Sequence, residues 1–167
     1  MDTAERIVVL SDTHMPYSAR HLPAAVVRAL ERASLILHAG DLTEMSVLET
    51  LAAFAPVEAV RGNVDSPELR EILPARRELS LAGWRVGLVH GDGTTGTTLL
   101  RALSAFTKRN VHCVVFGHSH QPLVERHGDV LLVNPGSPTD KRRQPRYSFA
   151  LLHPGETLEA ELVYFDG

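Results

Sequence analysis

The chain has 167 residues, of which 44% are hydrophobic and 22% charged, with a formal net charge of −3. That length fits one domain, 1–167, able to bury most of its apolar surface, and the composition excludes disorder as the default. A mildly acidic chain is not a generic nucleic-acid or membrane binder, and no apolar stretch approaches the roughly 20 residues of a membrane span. Only about five apolar residues follow Arg6, too few for the apolar region of a signal peptide, so the expected location is the cytoplasm. Cys113 is the single cysteine. It sits in the apolar run 111–116, so it is expected to be a buried, inert thiol, and neither an internal disulfide nor a cysteine-rich zinc site can form.

Ile7 to Leu10 is a short β-branched run that stops at Ser11-Asp12-Thr13-His14, which predicts a buried strand followed by a functional loop. Helical spacing of Leu22, Val26, Val27 and Leu30 predicts a helix over 22–33, with Pro23 in its first turn. A strand over 35–37 ends in His38-Ala39-Gly40-Asp41, a helix follows over 44–54, and a strand over 57–60 ends in Gly62-Asn63. Residues 76–89 alternate about Ala82-Gly83 and predict a hairpin, with Leu79 and Leu81 on one side and Val86 and Leu88 on the other. That hairpin ends in His90-Gly91. A helix over 97–108 and a strand over 111–116 then lead into Gly117-His118-Ser119-His120. Two further hairpins turn at His127-Gly128-Asp129 and at Pro154-Gly155. Strand–helix alternation followed by strand pairs predicts an α/β unit with two sheets and flanking helices.

Five strands run straight into polar clusters. Ligand sites in α/β folds gather beyond the carboxyl ends of strands, so five such clusters imply one shared site. Asp12, His14, Asp41, Asn63, His90, His118 and His120 are all competent metal ligands, and this oxygen and nitrogen set suits manganese, iron, nickel or zinc. Residues i and i+2 of an extended segment point the same way, so Asp12 and His14 are expected to converge, as are His118 and His120. Glycine beside each ligand allows sharp turns and close approach. Seven ligands are too many for one ion and suit two, with a carboxylate such as Asp41 able to bridge. Two ions about 3.5–4 Å apart can hold a hydroxide and clamp the oxygens of an in-line phosphoryl displacement.

The ordered set from Ser11-Asp12-Thr13-His14 through Gly40-Asp41, Gly62-Asn63-Val64-Asp65, His90-Gly91 and Gly117-His118-Ser119-His120 to Asn134-Pro135-Gly136-Ser137 resembles the calcineurin-like metallophosphoesterases, in particular the small YfcE-like phosphodiesterases. The resemblance implies an αββα sandwich of two mixed β-sheets flanked by helices. It places Asp12, His14, Asp41 and His120 on one metal and Asp41, Asn63, His90 and His118 on the other. It also implies manganese as activating ion, attack on phosphorus by a bridging water or hydroxide held by Asp41, Asn63 and His90, and self-association, which no stretch here displays.

Many relatives carry a histidine where this chain has Val64, and that histidine is thought to assist the leaving group. Valine cannot do so, so the acid role would pass to a metal-bound water or to another histidine. Asp65 fits a carboxylate supporting the site or a plain turn. His38 fits a core or supporting role. His21, His112, His127 and His153 are expected at structural or surface positions, and Tyr17 is a candidate for the pocket wall. The basic run Lys141 to Arg146 follows the last motif, and Arg142 or Arg143 is a candidate contact to a substrate phosphate.

The leading function is therefore a two-metal phosphodiesterase acting on a cyclic nucleotide, a nucleotide-derived diester or a nucleic-acid end. A non-catalytic scaffold, like the retromer subunit that resembles this fold, and a phosphomonoesterase are the alternatives.

Overall fold

The computed structural model describes residues 5–167. Its elements begin with β1 (Ile7–Leu10), α1 (Ala24–Leu30), β2 (Leu35–His38), α2 (Met45–Ala52), β3 (Val57–Ala59) and α3 (Pro67–Ile72). They continue with β4 (Arg76–Leu81), β5 (Trp84–Val89), α4 (Thr98–Ser104) and β6 (Cys113–Val115). The chain finishes with β7 (Leu123–His127), β8 (Val130–Asn134), β9 (Tyr147–Pro154) and β10 (Leu158–Phe165).

These strands build two mixed five-stranded sheets, ordered β10-β9-β1-β2-β3 and β4-β5-β6-β8-β7. In the first, β1, β2 and β3 are parallel while β9 and β10 close one edge as an antiparallel pair. In the second, β5, β6 and β8 are parallel between two antiparallel hairpins. Each sheet thus delivers three parallel strand ends to one edge.

The period-two alternation of strand side chains sorts the core into layers. Val8, Leu10 and Ile36 point outward into a cluster with Val26, Leu30 and Leu51 of α1 and α2 and Leu69 of α3. Their neighbours Ile7, Val9 and Leu37 point the other way, into a layer shared with Val86, Leu88, Cys113, Val115 and Val133 of the second sheet. Val114 and Leu132 face outward again, onto Ala102 and Phe106 beside α4. The result is helices, sheet, sheet, helix, as the resemblance implied. Cys113 is buried between the sheets, and burial pushes its thiol up to about 12, so it is inert as expected.

Three local expectations need correction. α3 was not foreseen: Ser66-Pro67 reads as a turn, yet the Ser66 hydroxyl accepts from Leu69 N at 3.3 Å and Pro67 occupies the first helical turn, a capped start. The 76–89 hairpin does not split its leucines and valines between two sides. Leu79 stands opposite Val86, so both arms turn their apolar residues to the same inter-sheet layer. Helix α1 is shorter than 22–33, and Arg32 and Ala33 follow it with turn-type hydrogen bonds to Ala29 O and Leu30 O. Among the described residues no helix is long and apolar enough to cross a membrane.

Leu37 is fully buried between the sheets. Leu37→Ala is expected to lower unfolding stability by about 3 kcal/mol in urea titrations, from lost burial plus a residual cavity. A loss under about 1 kcal/mol would show that the two sheets are not tightly packed there.

Candidate metal centre

All seven predicted residues meet at the edge where the parallel strands end. The segment after β1 carries Asp12 and His14, that after β2 Asp41, that after β3 Asn63, that after β5 His90, and that after β6 His118 and His120. His14 Nε2 lies 3.6 Å from Asp12 Oδ1 and 3.4 Å from Asp41 Oδ2. His120 Nε2 lies 3.5 Å from Asp12 Oδ1. His90 Nε2 lies 3.1 Å from Asp41 Oδ2 and 3.0 Å from Asn63 Oδ1. His118 Nδ1 completes the chain, 3.2 Å from Asn63 Oδ1. Asp41 Oδ2 thus stands between an Asp12–His14–His120 group and a His90–Asn63–His118 group.

The convergence does not arise from extended backbone, as the i, i+2 spacing suggested. Asp12, His14, Asp41, His118 and His120 all have positive φ, between 43° and 68°. These five side chains are aimed by left-handed residues in the loops that follow β1, β2 and β6, a conformation costly for any residue with a Cβ. Glycine matters here mainly for close approach. A Cβ on Gly117 would stand 1.9 Å from Ser11 Oγ, and one on Gly62 would stand 2.0 Å from Asp41 Oδ1.

Supporting hydrogen bonds fix which atoms face inward. Asp12 Oδ2 accepts from Ser11 Oγ at 2.7 Å and from His118 N at 2.9 Å, which leaves Oδ1 pointing into the centre. The carbonyls of Ala39 and Asp140 can only accept, so His90 and His120 donate to them through Nδ1–H, at 2.7 and 2.5 Å, and turn Nε2 inward. Asp65 is buried and serves as a clasp. Its Oδ2 accepts from Gly62 N at 2.6 Å and Asp41 N at 3.1 Å, and its Oδ1 from Thr43 N at 2.7 Å, tying together the loops that carry Asn63 and Asp41. His38, buried in the core, accepts from Gly40 N through Nδ1 at 3.1 Å and therefore donates from Nε2 to the Thr13 hydroxyl at 3.2 Å. Burial holds its imidazole down to about 4, so it stays neutral and acts as a brace.

Four buried side-chain polar atoms among the described residues lack a hydrogen-bond partner, and three of them are Asp12 Oδ1, His14 Nε2 and His120 Nε2. Buried polar atoms without partners are expensive, and three converging on one point fit a cation. Two donors each about 2.1 Å from one ion lie roughly 3.0–3.4 Å apart, close to the separations seen here. Among the described residues, Asp12–His14–His120 and Asp12–Asp41–His90 are groupings of histidine and carboxylate atoms close enough together to hold an ion. Electrostatics agree. Burial alone would hold His14 and His90 low, but Asp12 and Asp41 outweigh it and push both up to about 9. Burial likewise opposes the charge of Asp12 and Asp41, yet the surrounding imidazoles keep both carboxyls below their ordinary value. Burial and the neighbouring His90 lower His118.

Several contributors gave little signal in sequence. Asp140 acts through its backbone carbonyl, which no side-chain pattern reveals. Arg70 Nη2 donates to Asn63 O at 2.9 Å from the unforeseen helix α3. Ser11 and Ser137 sit inside recognised motifs, and Ser137 Oγ donates to Asp12 O at 2.7 Å. Arg142 lies on the Asp140 loop, 3.9 Å from that carboxylate, and Arg143 beside it is exposed. His112 accepts from Arg85 N, His153 pairs with Glu161, and His21, His127 and Tyr17 are exposed.

A profile of the calcineurin-like phosphoesterase superfamily domain matches residues 6–157. The chain belongs to that superfamily and is a metallophosphoesterase by family. It is 41% identical over 159 residues to a "Probable metallophosphoesterase" of Methanothermobacter thermautotrophicus, covering 94% of this chain and 91% of that one. Its fold is similar to that of Vps29 from Chaetomium thermophilum, with a TM-score of 0.80, 22% identity, and 98% and 99% of the two chains covered. It is also similar in fold to a protein described as a novel archaeal phosphodiesterase, with a TM-score of 0.72, 20% identity, and 96% and 99% covered.

Asp65→Ala removes three buried, charge-assisted hydrogen bonds at once. It is expected to cost about 3 kcal/mol of stability and to weaken divalent-metal binding at least tenfold, read by denaturation and metal titration. Unchanged metal affinity would show that the clasp does not position Asp41 and Asn63. In the metal-free chain, protonated His14 and His90 stabilise the fold fully below about pH 6.5, and that contribution is lost as pH rises through about 9. A cation must displace those protons, so apparent metal affinity is expected to climb from pH 6.5 to 9 with proton release on binding. Calorimetry in buffers of different ionisation enthalpy reads the release; none at pH 7.5 would contradict the assignment.

Proposed function

We propose that this metallophosphoesterase is a phosphodiesterase that works with two divalent ions, with manganese the expected pair. The observation that carries the reading is the inward convergence of seven donor side chains, three of whose buried atoms have no partner in the protein. Asp12, His14 and His120 would hold one ion, Asn63, His90 and His118 the other, with Asp41 between them. When bound, such a pair supplies Lewis acidity and activates water for attack at phosphorus. The protein's own part is positioning. Nδ1–H bonds fix His90 and His120 in the tautomer whose Nε2 lone pair faces inward, and Asp65 sets the spacing of the Asp41 and Asn63 loops.

The preference for a diester rests on what surrounds this centre. Val64 donates its backbone N–H to Asp41 Oδ1 at 3.0 Å while its side chain stands 46% exposed, where a proton donor for the leaving group would be useful. Without that donor the leaving group's proton has to come from another side chain or from solvent. Arg142, 3.9 Å from the carboxylate of Asp140, whose carbonyl bonds His120, is the proposed contact to a substrate phosphate. The Vps29-like fold fits a scaffold as well, but a scaffold has no need of a complete donor set.

Metal-stripped protein should hydrolyse a chromogenic diester only after manganese is added, faster than the matching monoester, while binding about two ions per chain. Asp41→Asn should lower kcat by roughly 10²–10³. Preference for the monoester would overturn the diester reading, and absence of metal uptake together with absence of turnover would favour the scaffold.

A further inference from the structure

The net charge of −3 says nothing of where individual cations stand. Among the described residues the arginines that reach a carboxylate at salt-bridge distance are Arg77, Arg142 and Arg146. The other described arginines and both lysines do not, and among them Arg61, Arg70, Arg76, Arg109 and Lys108 line two cavities that meet at Ala75 and Arg76. These five follow one another from the metal centre, where Arg70 reaches Asn63 O, to the stretch after α4.

Arg70 donates to Asn63 O at 2.9 Å, and Arg61 Nη1 donates to Arg70 O at 3.1 Å. Together with Gly62, Ala75 and Asp92, these two arginines line a cavity of about 420 Å³. Ala75 leads directly into Arg76, which stands opposite Val89, the residue before His90. Arg76 Nη1 donates to Ala105 O at 2.6 Å. It opens a second cavity, of about 410 Å³, shared with Ser104, Thr107, Lys108 and Arg109. Asp92 is the one acid lining either cavity, and Glu78 borders a smaller hollow beside Arg76 and Arg109.

Backbone carbonyls hold three of the four guanidinium groups in place while leaving their other N–H groups free. Pre-positioned, unneutralised guanidinium groups suit phosphates, and a file of them suits successive phosphates. Asp92 can only accept, so it suits a sugar hydroxyl or a base amine, groups that a bare polyphosphate lacks.

We propose that this track, from Arg70 and Arg61 through Arg76 to Lys108 and Arg109, binds a single-stranded oligonucleotide and leads its end into the metal centre. The substrate class is therefore an oligonucleotide rather than a small cyclic diester. This assignment rests on the diesterase reading for its catalytic part, but the binding track can be tested without it.

The test is fluorescence anisotropy of a labelled twelve-residue oligoribonucleotide with the full chain, first in chelator and then in manganese. In chelator, five phosphate contacts predict a slope of log affinity against log salt of about −3.5. Arg61→Ala, Arg70→Ala and Arg109→Ala combined should weaken binding at least tenfold at low salt and flatten the slope by about 2. Arg109→Gln alone, which disturbs no internal contact, should flatten it by about 0.7. Arg28→Ala with Arg32→Ala, on and beside α1, should change neither quantity. Equal losses in both sets of variants would overturn the track, and competition by inorganic polyphosphate as strong as by unlabelled oligonucleotide would overturn its nucleotide character. With manganese added, binding without shortening of the oligonucleotide would support the track and sink the diesterase reading. Turnover of a chromogenic diester with no oligonucleotide binding would do the reverse.

Discussion

The Asp12 carboxylate is divided between two tasks, and the rest of the site depends on that division. Oδ2 is fixed by the Ser11 hydroxyl and by His118 N, a residue that enters from the other sheet. This bond joins the end of β1 to the end of β6 and brings the two files of parallel strand ends together. Oδ1 is left buried and without a partner among three imidazoles. A carboxylate committed on both oxygens would only join the sheets, and one free on both would not hold its direction. The close approach of Gly117 to Ser11 and Asp12 lets the junction form, because any side chain there would occupy the space of the hydroxyl.

The centre also concentrates backbone strain. Five of its seven donors are non-glycine residues in the left-handed region, each costing roughly 1–2 kcal/mol relative to ordinary backbone. Such conformations persist only where the surroundings over-determine them. Here the surroundings are the inter-sheet layer of fully buried valines and leucines, the Asp65 clasp, and the hydroxyls of Ser137 and Thr139, which donate to the carbonyls of Asp12 and Thr13. Stability gathered across the sandwich is thus drawn on at one edge.

Charge is arranged on two scales. Within the centre, buried carboxylates and imidazoles sustain each other's ionisation, so the metal-free site holds protons that a cation would displace. Across the surface, acids and bases nearly cancel in total, yet five cations without carboxylate partners line the two cavities that run from beside Asn63 to the end of α4. A summed charge is silent about such separation, and therefore the acidic average does not exclude a local site for a polyanion.

The sequence by itself determined the ten strands, the seven donor residues and their order, because apolar runs of strand length stopping at glycine, aspartate, asparagine or histidine are local signals. It also conveyed the two-sheet class, through the change from strand–helix alternation to strand pairs. Other features were decided only by tertiary structure. The aiming of Asp12 and His14 depends on left-handed backbone rather than on the extended spacing that the sequence suggests, and the inward tautomers of His90 and His120 are set by carbonyls distant in the chain, Ala39 and Asp140. Asp65 becomes a clasp only because two loops from different strands close around it. Arg70 approaches Asn63 from a short helix whose cap reads locally as a turn. Local patterns fix which groups the chain carries, whereas direction, protonation and neighbourhood arise from contacts between residues far apart in sequence, which folding alone brings together.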